Sequence, residues 1–158
     1  MVLLTRVAVA SLSLAAAIAS AQVPQYGPNI TLEQARKAIA AGEAEARRNN
    51  WPVAMAVVDT AGHLVAFGRI DNTQSASIQV AQDKAASAAM YRRPTKAFQD
   101  GLAKGGDGLR ILHLNRATAV DGGLPIMVEG KIVGAIGVSG VQGHEDAVVA
   151  KAGVDSLK

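Results

Sequence analysis

The chain has 158 residues, of which 49% are hydrophobic, 18% are charged and 3% are aromatic. This length fits one domain, and the apolar fraction is too high for a disordered chain. Cysteine is absent, which excludes disulfides, thiolate catalysis, Cys-ligated zinc and iron–sulfur clusters within this chain. The formal net charge is +3, and the basic pairs Arg47-Arg48 and Arg92-Arg93 do not extend into longer runs. This charge pattern does not favour nucleic-acid binding.

The first 21 residues have the pattern of a secretory signal peptide. Arg6 supplies a positive charge, residues 7–18 are apolar or small, and Ala19-Ser20-Ala21 forms a small-x-small cleavage pattern before Gln22. The apolar run is shorter than the roughly 20 residues of a membrane span. We therefore expect a periplasmic or secreted protein without a transmembrane span, although an uncleaved anchor or a buried helix is the alternative. The expected division is a signal peptide at 1–21, a linker at 22–30 and one domain at 31–158.

The remaining chain predicts an antiparallel sheet with helices packed on it. Thr31 and Gln34 fit a capping box ahead of an amphipathic helix, and Thr60-Ala61-Gly62 fits a hairpin turn. The expected helices cover 32–49, 75–90, 94–103 and 145–158, and the expected strands cover 53–59, 63–69, 124–128 and 131–138. Residues 109–120 are compatible with a short helix or a strand. Because the strand connections are short, the fold class is α+β.

The last predicted strand is rich in glycine. Strict alternation places Ile132, Ile136 and Val138 on one face and Val133, Ala135, Gly137 and Ser139 on the other. The glycines at 134, 137 and 140 lack the spacing of a dinucleotide-binding turn, and Ser139 lacks the spacing of a nucleophile elbow. They indicate close backbone packing in a central strand rather than phosphate binding.

Three histidines are candidate ligands, at positions far apart in the sequence. His63 follows the predicted hairpin turn. His113 lies between two leucines, a setting typical of a hydrogen-bonded structural histidine. His144 lies at the start of the last helix, where helix capping is the simpler interpretation, and Val148 stands where a zinc-protease motif needs a second histidine. Asp59 is interpreted as a turn residue rather than as an acid or base.

Several segments resemble, in order, the GlcG/HbpS-like family of haem-degrading and haem-binding domains. They are VDTAGHLVAF at 58–67, SASIQVAQDKAA at 75–86, GGLPI at 122–126, GKIVGAIGVSG at 130–140 and DAVVA at 146–150. The match runs from about Leu32 to the C-terminus. The ordered pair of GGLPI and GAIGVSG is its most specific part.

The resemblance implies an α+β, profilin-like or sensor-like sandwich, with an antiparallel sheet of about five strands flanked by helices. It also implies a homo-oligomer, often an octamer. Members of the family are associated with haem binding, haem breakdown, iron handling or redox sensing, and others with glycolate or diol operons. No catalytic residue is carried over from the family.

Two functions follow as alternatives. The first is an exported haem-binding protein that takes part in haem degradation or in iron or redox handling. Its candidate haem ligands are His63, His113, His144 and Thr118, with Met127 and Tyr91 as further donors; His63 is preferred because it lies in the family-like segment. The second is a non-catalytic oligomeric accessory module that binds a small carboxylate. Arg69, Arg92, Arg93 and Arg116 would hold that carboxylate, although solvated surface charge is the simpler role for each.

Overall fold

The computed structural model describes residues 23–158, so the predicted signal peptide lies outside the described residues. The helices are α1 (Leu32–Arg48), α2 (Ser77–Tyr91), α3 (Lys96–Ala103) and α4 (Gly143–Asp155), and a 3-10 helix covers Gly106–His113. The strands are β1 (Ala54–Val58), β2 (Leu64–Arg69), β3 (Gly123–Val128) and β4 (Lys131–Ser139). The ambiguous stretch at 109–120 therefore contains part of the 3-10 helix followed by a loop. Among residues 23–158, no helix is long and apolar enough to cross a membrane.

The described residues form one sheet of four strands in the order β2-β1-β4-β3, with every neighbouring pair antiparallel. The class is α+β as predicted, but the expected count of about five strands is wrong. The segment before α1 runs along β4, where Tyr26 forms a single parallel bridge with Ile132. Pro24 and Pro28 flank this bridge and have no N–H to donate, which limits the segment to isolated hydrogen bonds rather than a fifth strand.

Helices α1 and α4 cover one face of the sheet, and their packing makes the larger core. Thr31 caps α1 by accepting a hydrogen bond from the Gln34 backbone at 3.1 Å, and the Gln34 side chain accepts one from the Thr31 backbone. This is the predicted capping box. The core residues beneath the two helices are largely apolar and fully buried, among them Ala38, Met55, Ile136 and Val149.

Helix α2 covers the other face of the sheet through small side chains. Its Ala81, Ala85, Ala88 and Ala89 are fully buried against alanines of β1 and β4. A Cβ atom added at Gly137 would lie 2.1 Å from the Ala81 carbonyl oxygen, so the helix rests directly on the strand. The close-packing interpretation of this glycine is confirmed. The alanine face of α2 is buried within the chain and is not available for contact with another subunit.

The predicted alternation in β4 fails at one residue. Val133 packs with Ile136 and Val138 in the larger core, although the prediction placed it on the opposite face. The register between β3 and β4 shifts between Ile126 and Met127, and Val133 has no partner in that ladder. Val133 is the extra residue of this irregularity, so it faces the larger core while Ala135, Ile136 and Val138 keep their predicted faces.

Candidate functional site

The turn between β1 and β2 is organised by one carboxylate. Asp59 Oδ1 accepts hydrogen bonds from the backbone N–H groups of Ala61 and His63, both at 2.9 Å. The Asp59 N–H donates to the His63 carbonyl, and the Gly62 N–H donates to the Asp59 carbonyl. Asp59 is thus confirmed as a turn residue, and this turn sets the position of His63.

His63 projects from this turn into solvent, with 77% of its side chain exposed. Its Nδ1 lies 3.4 Å from Asp59 Oδ2, so the carboxylate stands beside one ring nitrogen and the other faces away. Burial acts to raise the pKa of the Asp59 carboxyl, but the hydrogen bonds from His63 and Ala61 outweigh it and lower that pKa overall. An ionised carboxylate behind a histidine orients the ring and makes its free nitrogen a better ligand.

The turn leans against the C-terminal half of α2. Gly62 has φ +83°, and a Cβ atom there would lie 3.2 Å from Ala86 Cβ and 3.3 Å from Met90 Sδ. Glycine is needed for both the left-handed backbone and the close approach. The thioether of Met90, a residue that is 37% exposed, therefore lies beside the residue that precedes His63. The position of Met90 could not be predicted, because the sequence of the alanine-rich helix does not indicate which of its ends meets the turn.

The loop after the 3-10 helix reaches the same place. Arg116 Nη2 donates to the Gly62 carbonyl at 3.4 Å, and the Thr118 N–H donates to Ser87 Oγ at 3.0 Å. The Tyr91 hydroxyl donates to the Asn115 carbonyl at 2.7 Å, so the tyrosine serves as a tie to the loop. We define the turn–loop site as the Asp59–His63 turn, Met90 on α2 and the 115–118 loop.

The other two predicted histidine ligands are not part of the turn–loop site. His113 is the last residue of the 3-10 helix and is exposed, so it is not a buried structural histidine. His144 is the second residue of α4 and is also exposed. Capping there is performed by Gln142 and Glu145, whose carboxylate accepts the Gln142 N–H at 3.0 Å; the capping interpretation of His144 is wrong. Within residues 23–158, no group of three His, Asp or Glu side chains is placed to hold a metal ion.

The candidate arginines are dispersed. Arg69 is exposed on the edge strand β2. Arg92 lines an apolar cavity of about 310 Å³ at the free edge of β3, together with Met127, Lys151 and Lys158. Both lysines are paired with Asp155. Arg93 lines a different groove, and Arg116 belongs to the turn–loop site. The structure therefore does not bring the four arginines together as one clamp.

One buried ion pair was not predicted from the sequence. Lys84 Nζ lies 2.8 Å from both Asp146 Oδ2 and the Val138 carbonyl, and both charged side chains are almost fully buried. Burial raises the pKa of the Asp146 carboxyl, while the hydrogen bond from Lys84 acts to lower it. The pair joins α2, β4 and α4.

Comparison with known proteins agrees with the resemblance. The profile of the family described as "Haem degrading protein HbpS-like" matches residues 30–155. Protein GlcG of Escherichia coli (strain K12) is 42% identical over 110 residues, which cover 70% of this chain and 81% of that protein.

Solved structures agree as well. ORFY of Klebsiella pneumoniae superposes with a TM-score of 0.79 at 29% identity, covering 84% of this chain and 93% of that one. A double mutant of HbpS from Streptomyces reticuli superposes with a TM-score of 0.77 at 27% identity, covering 99% of each chain. A family profile that spans nearly all of the described residues, together with this agreement in fold, shows that the chain belongs to the HbpS-like family of haem-degrading proteins.

Proposed function

We propose that this chain binds haem at the turn–loop site, with His63 as the axial ligand. The observation that carries the proposal is the pairing of His63 Nδ1 with Asp59 Oδ2 at 3.4 Å. It leaves the other imidazole nitrogen free on an exposed and rigidly supported turn. Membership of a family named for haem degradation supports the choice of haem.

The residues around His63 fit the chemical groups of haem. The thioether of Met90 and the hydroxyl of Thr118 are further potential donors, and both residues are anchored on or against α2. Arg116 supplies a cation for a propionate, and the exposed Leu64 beside His63 supplies apolar surface. Haem bound here would supply a redox-active iron, while the protein's part is to hold, orient and shield it.

The cavities described above do not include His63, so this chain would cover the haem from one side. A second copy of the chain would supply the other cover. Haem binding at this site is thus tied to the predicted homo-oligomer.

The experiment is a hemin titration of the purified protein, followed by the Soret band. We expect His63→Ala to shift or abolish the band and to weaken binding about tenfold or more, equivalent to about 1.4 kcal/mol. His144→Ala is the matched control, since it removes another exposed histidine from a different part of the fold, and it should bind hemin normally. Circular dichroism should be unchanged in both variants.

An unaltered haem spectrum in His63→Ala would remove His63 from the role. Single substitutions at His113 and Thr118 would then locate the ligand. Haem degradation would be recognised separately, as a progressive loss of the Soret band after a reductant is added to the complex.

The alternative function, an accessory module that binds a small carboxylate, is supported by a different observation. Three cations line a groove beside α3, away from His63.

We further propose that the protein is exported, on the evidence of Arg6, the apolar run and Ala19-Ser20-Ala21. N-terminal sequencing of the protein recovered from the periplasm or the medium should return Gln22 as the first residue. A mature protein that begins at Met1 or Val2 would contradict this proposal.

A further inference from the structure

A groove of about 440 Å³ lies between α3 and the 3-10 helix. Its volume falls within the roughly 300–1,000 Å³ of small-molecule sites. Two glycines set its width. A Cβ atom at Gly108 would lie 1.9 Å from the Gly101 carbonyl oxygen, and one at Gly101 would lie 2.8 Å from Ile111 Cδ1. The two helices are therefore in close contact at these glycines, and the groove lies beside this contact.

The wall of the groove follows the period of the 3-10 helix. In such a helix, residues three apart share a face. Gly108 and Ile111 line the groove along one face, with Leu114 directly after the helix, and Asp107 and Arg110 line it along the next. The third face carries Leu109 and Leu112, which are 51% and 68% exposed and do not line the groove. Phe98, which is 3% exposed, completes the apolar floor from α3.

Three cations surround this apolar floor: Arg93, Lys104 and Arg110. Among the described residues, none of the three has a carboxylate within ion-pair distance. This distinguishes the groove from the cavity beside β3, where Lys151 and Lys158 are already neutralised by Asp155. Asp107 is the one acidic lining residue, so positive charge is in excess.

Arg93 is held in position before any ligand arrives. Its Nε donates to the Tyr91 carbonyl at 3.1 Å, and its guanidinium carbon lies 5.6 Å from the centre of the Phe98 ring. Tyr91 in turn packs edge-on against Phe98, with ring centres 5.1 Å apart. A stacked arginine with unused terminal N–H groups is suited to bind a carboxylate in a fixed orientation.

We propose that this groove binds a small organic anion with a flat apolar body, such as an aromatic carboxylate. The apolar part would lie on Phe98, Ile111 and Leu114, and the carboxylate would meet Arg93 and Arg110. This site is separate from the turn–loop site, and the proposal does not depend on haem binding.

The test measures binding of two fluorescent probes to the full protein without hemin. Anilinonaphthalene sulfonate carries a flat apolar body and an anion, and phenylnaphthylamine carries a similar body without the charge. We expect Arg93→Gln/Arg110→Gln to weaken binding of the anionic probe about tenfold or more. The affinity for the neutral probe should change by less than about threefold. Arg110→Gln alone should weaken binding of the anionic probe while leaving the contacts of Arg93 intact.

Matched controls separate the groove from general surface effects. Ile111→Gln should weaken binding of both probes. Leu112→Gln, on the outward face of the same helix, should leave the binding of both unchanged. Arg69→Gln removes a cation outside the groove and should leave both affinities unchanged. Native circular dichroism in each variant ensures that the probes report on folded protein.

The proposal is overturned if Arg93→Gln/Arg110→Gln binds the anionic probe as tightly as the native protein. It is equally overturned if Arg69→Gln causes the same loss, because the attraction would then be a general surface effect. Since no hemin is present, either outcome leaves the assignment of His63 to be decided by its own titration.

Discussion

Asp59 performs two tasks with its two carboxylate oxygens. One oxygen accepts the backbone N–H groups of Ala61 and His63, and the other lies beside the His63 ring. The same residue thus closes the β1–β2 turn and supports the proposed haem ligand. Its effects on stability and on ligation can be measured separately.

We expect Asp59→Asn to lower the free energy of unfolding by about 1 kcal/mol near neutral pH, the usual contribution of such hydrogen bonds. The pKa of Asp59 is lowered from its ordinary value of 3.8 in the folded protein. Its ionised form therefore stabilises the fold above pH 3.8, and this contribution is lost as the pH falls through the lowered pKa. Urea unfolding at several pH values should show the two proteins converging in acid. A difference that stays constant with pH would contradict this expectation.

The sequence was informative about single residues where local chemistry decides the structure. Asp59 is followed by Thr-Ala-Gly, and that pattern predicted the turn correctly. It said nothing about Arg116 or Met90, since both reach the turn only after distant parts of the chain have packed.

Helix α2 is held in place by the packing of its alanines and by a buried ion pair. Its alanines lie flat on β1 and β4, and Lys84 extends from it to Val138 and Asp146. A lysine within an alanine-rich helix would ordinarily be placed on the solvent side. Its burial follows from the approach of α4, which no local pattern predicts.

We expect Lys84→Met to lower the free energy of unfolding by about 3 kcal/mol or more, because Asp146 would be left as an unpaired buried carboxylate. Burial already raises the pKa of Asp146 above 3.8. The folded protein therefore holds this proton more tightly than the unfolded chain, and stability falls as the pH rises from 3.8 to the raised pKa. Since Lys84 limits that loss, the substitution should be more harmful near neutral pH than below pH 3.8.

Urea unfolding of two further variants controls this experiment. Lys96→Met removes a pair with Asp100 that is exposed to solvent and should leave the stability nearly unchanged. Lys84→Met/Asp146→Leu removes both buried charges and should recover part of the stability lost in Lys84→Met. Equal stabilities of Lys84→Met and the native protein would show that the pair does not join these elements.

For the whole molecule, the sequence predicted the class of the fold and the order of its elements but not the arrangement of the sheet. Capping, turn and alternation patterns are local, and they located the four helices and four strands to within a few residues. The pairing of β1 with β4 joins segments about 80 residues apart, and packing across both faces of the sheet decides it. Residues 109–120 remained compatible with a helix or a strand, because the three-residue period of a 3-10 helix matches neither the 3.6-residue period of an α-helix nor the two-residue period of a strand.

The alanines of α2 no longer support the predicted homo-oligomer. Because the alanines of α2 are buried within the chain, a homo-oligomer would have to form through other surfaces. The edge strand β2 carries Leu64 and Phe67, which are 50% and 37% exposed, and Leu32 of the neighbouring α1 is 47% exposed. An exposed apolar edge of this kind favours association with another copy.

We expect light scattering of the native protein at micromolar concentration to give a mass above that of two chains. Phe67→Lys should reduce this mass, because a lysine on an edge strand opposes pairing with another edge. Val148→Lys is the control, since Val148 is an apolar residue of α4 that is 45% exposed and remote from β2. If the native protein has the mass of a single chain, the oligomer is ruled out; if both variants lower the mass equally, the β2 edge is not the interface.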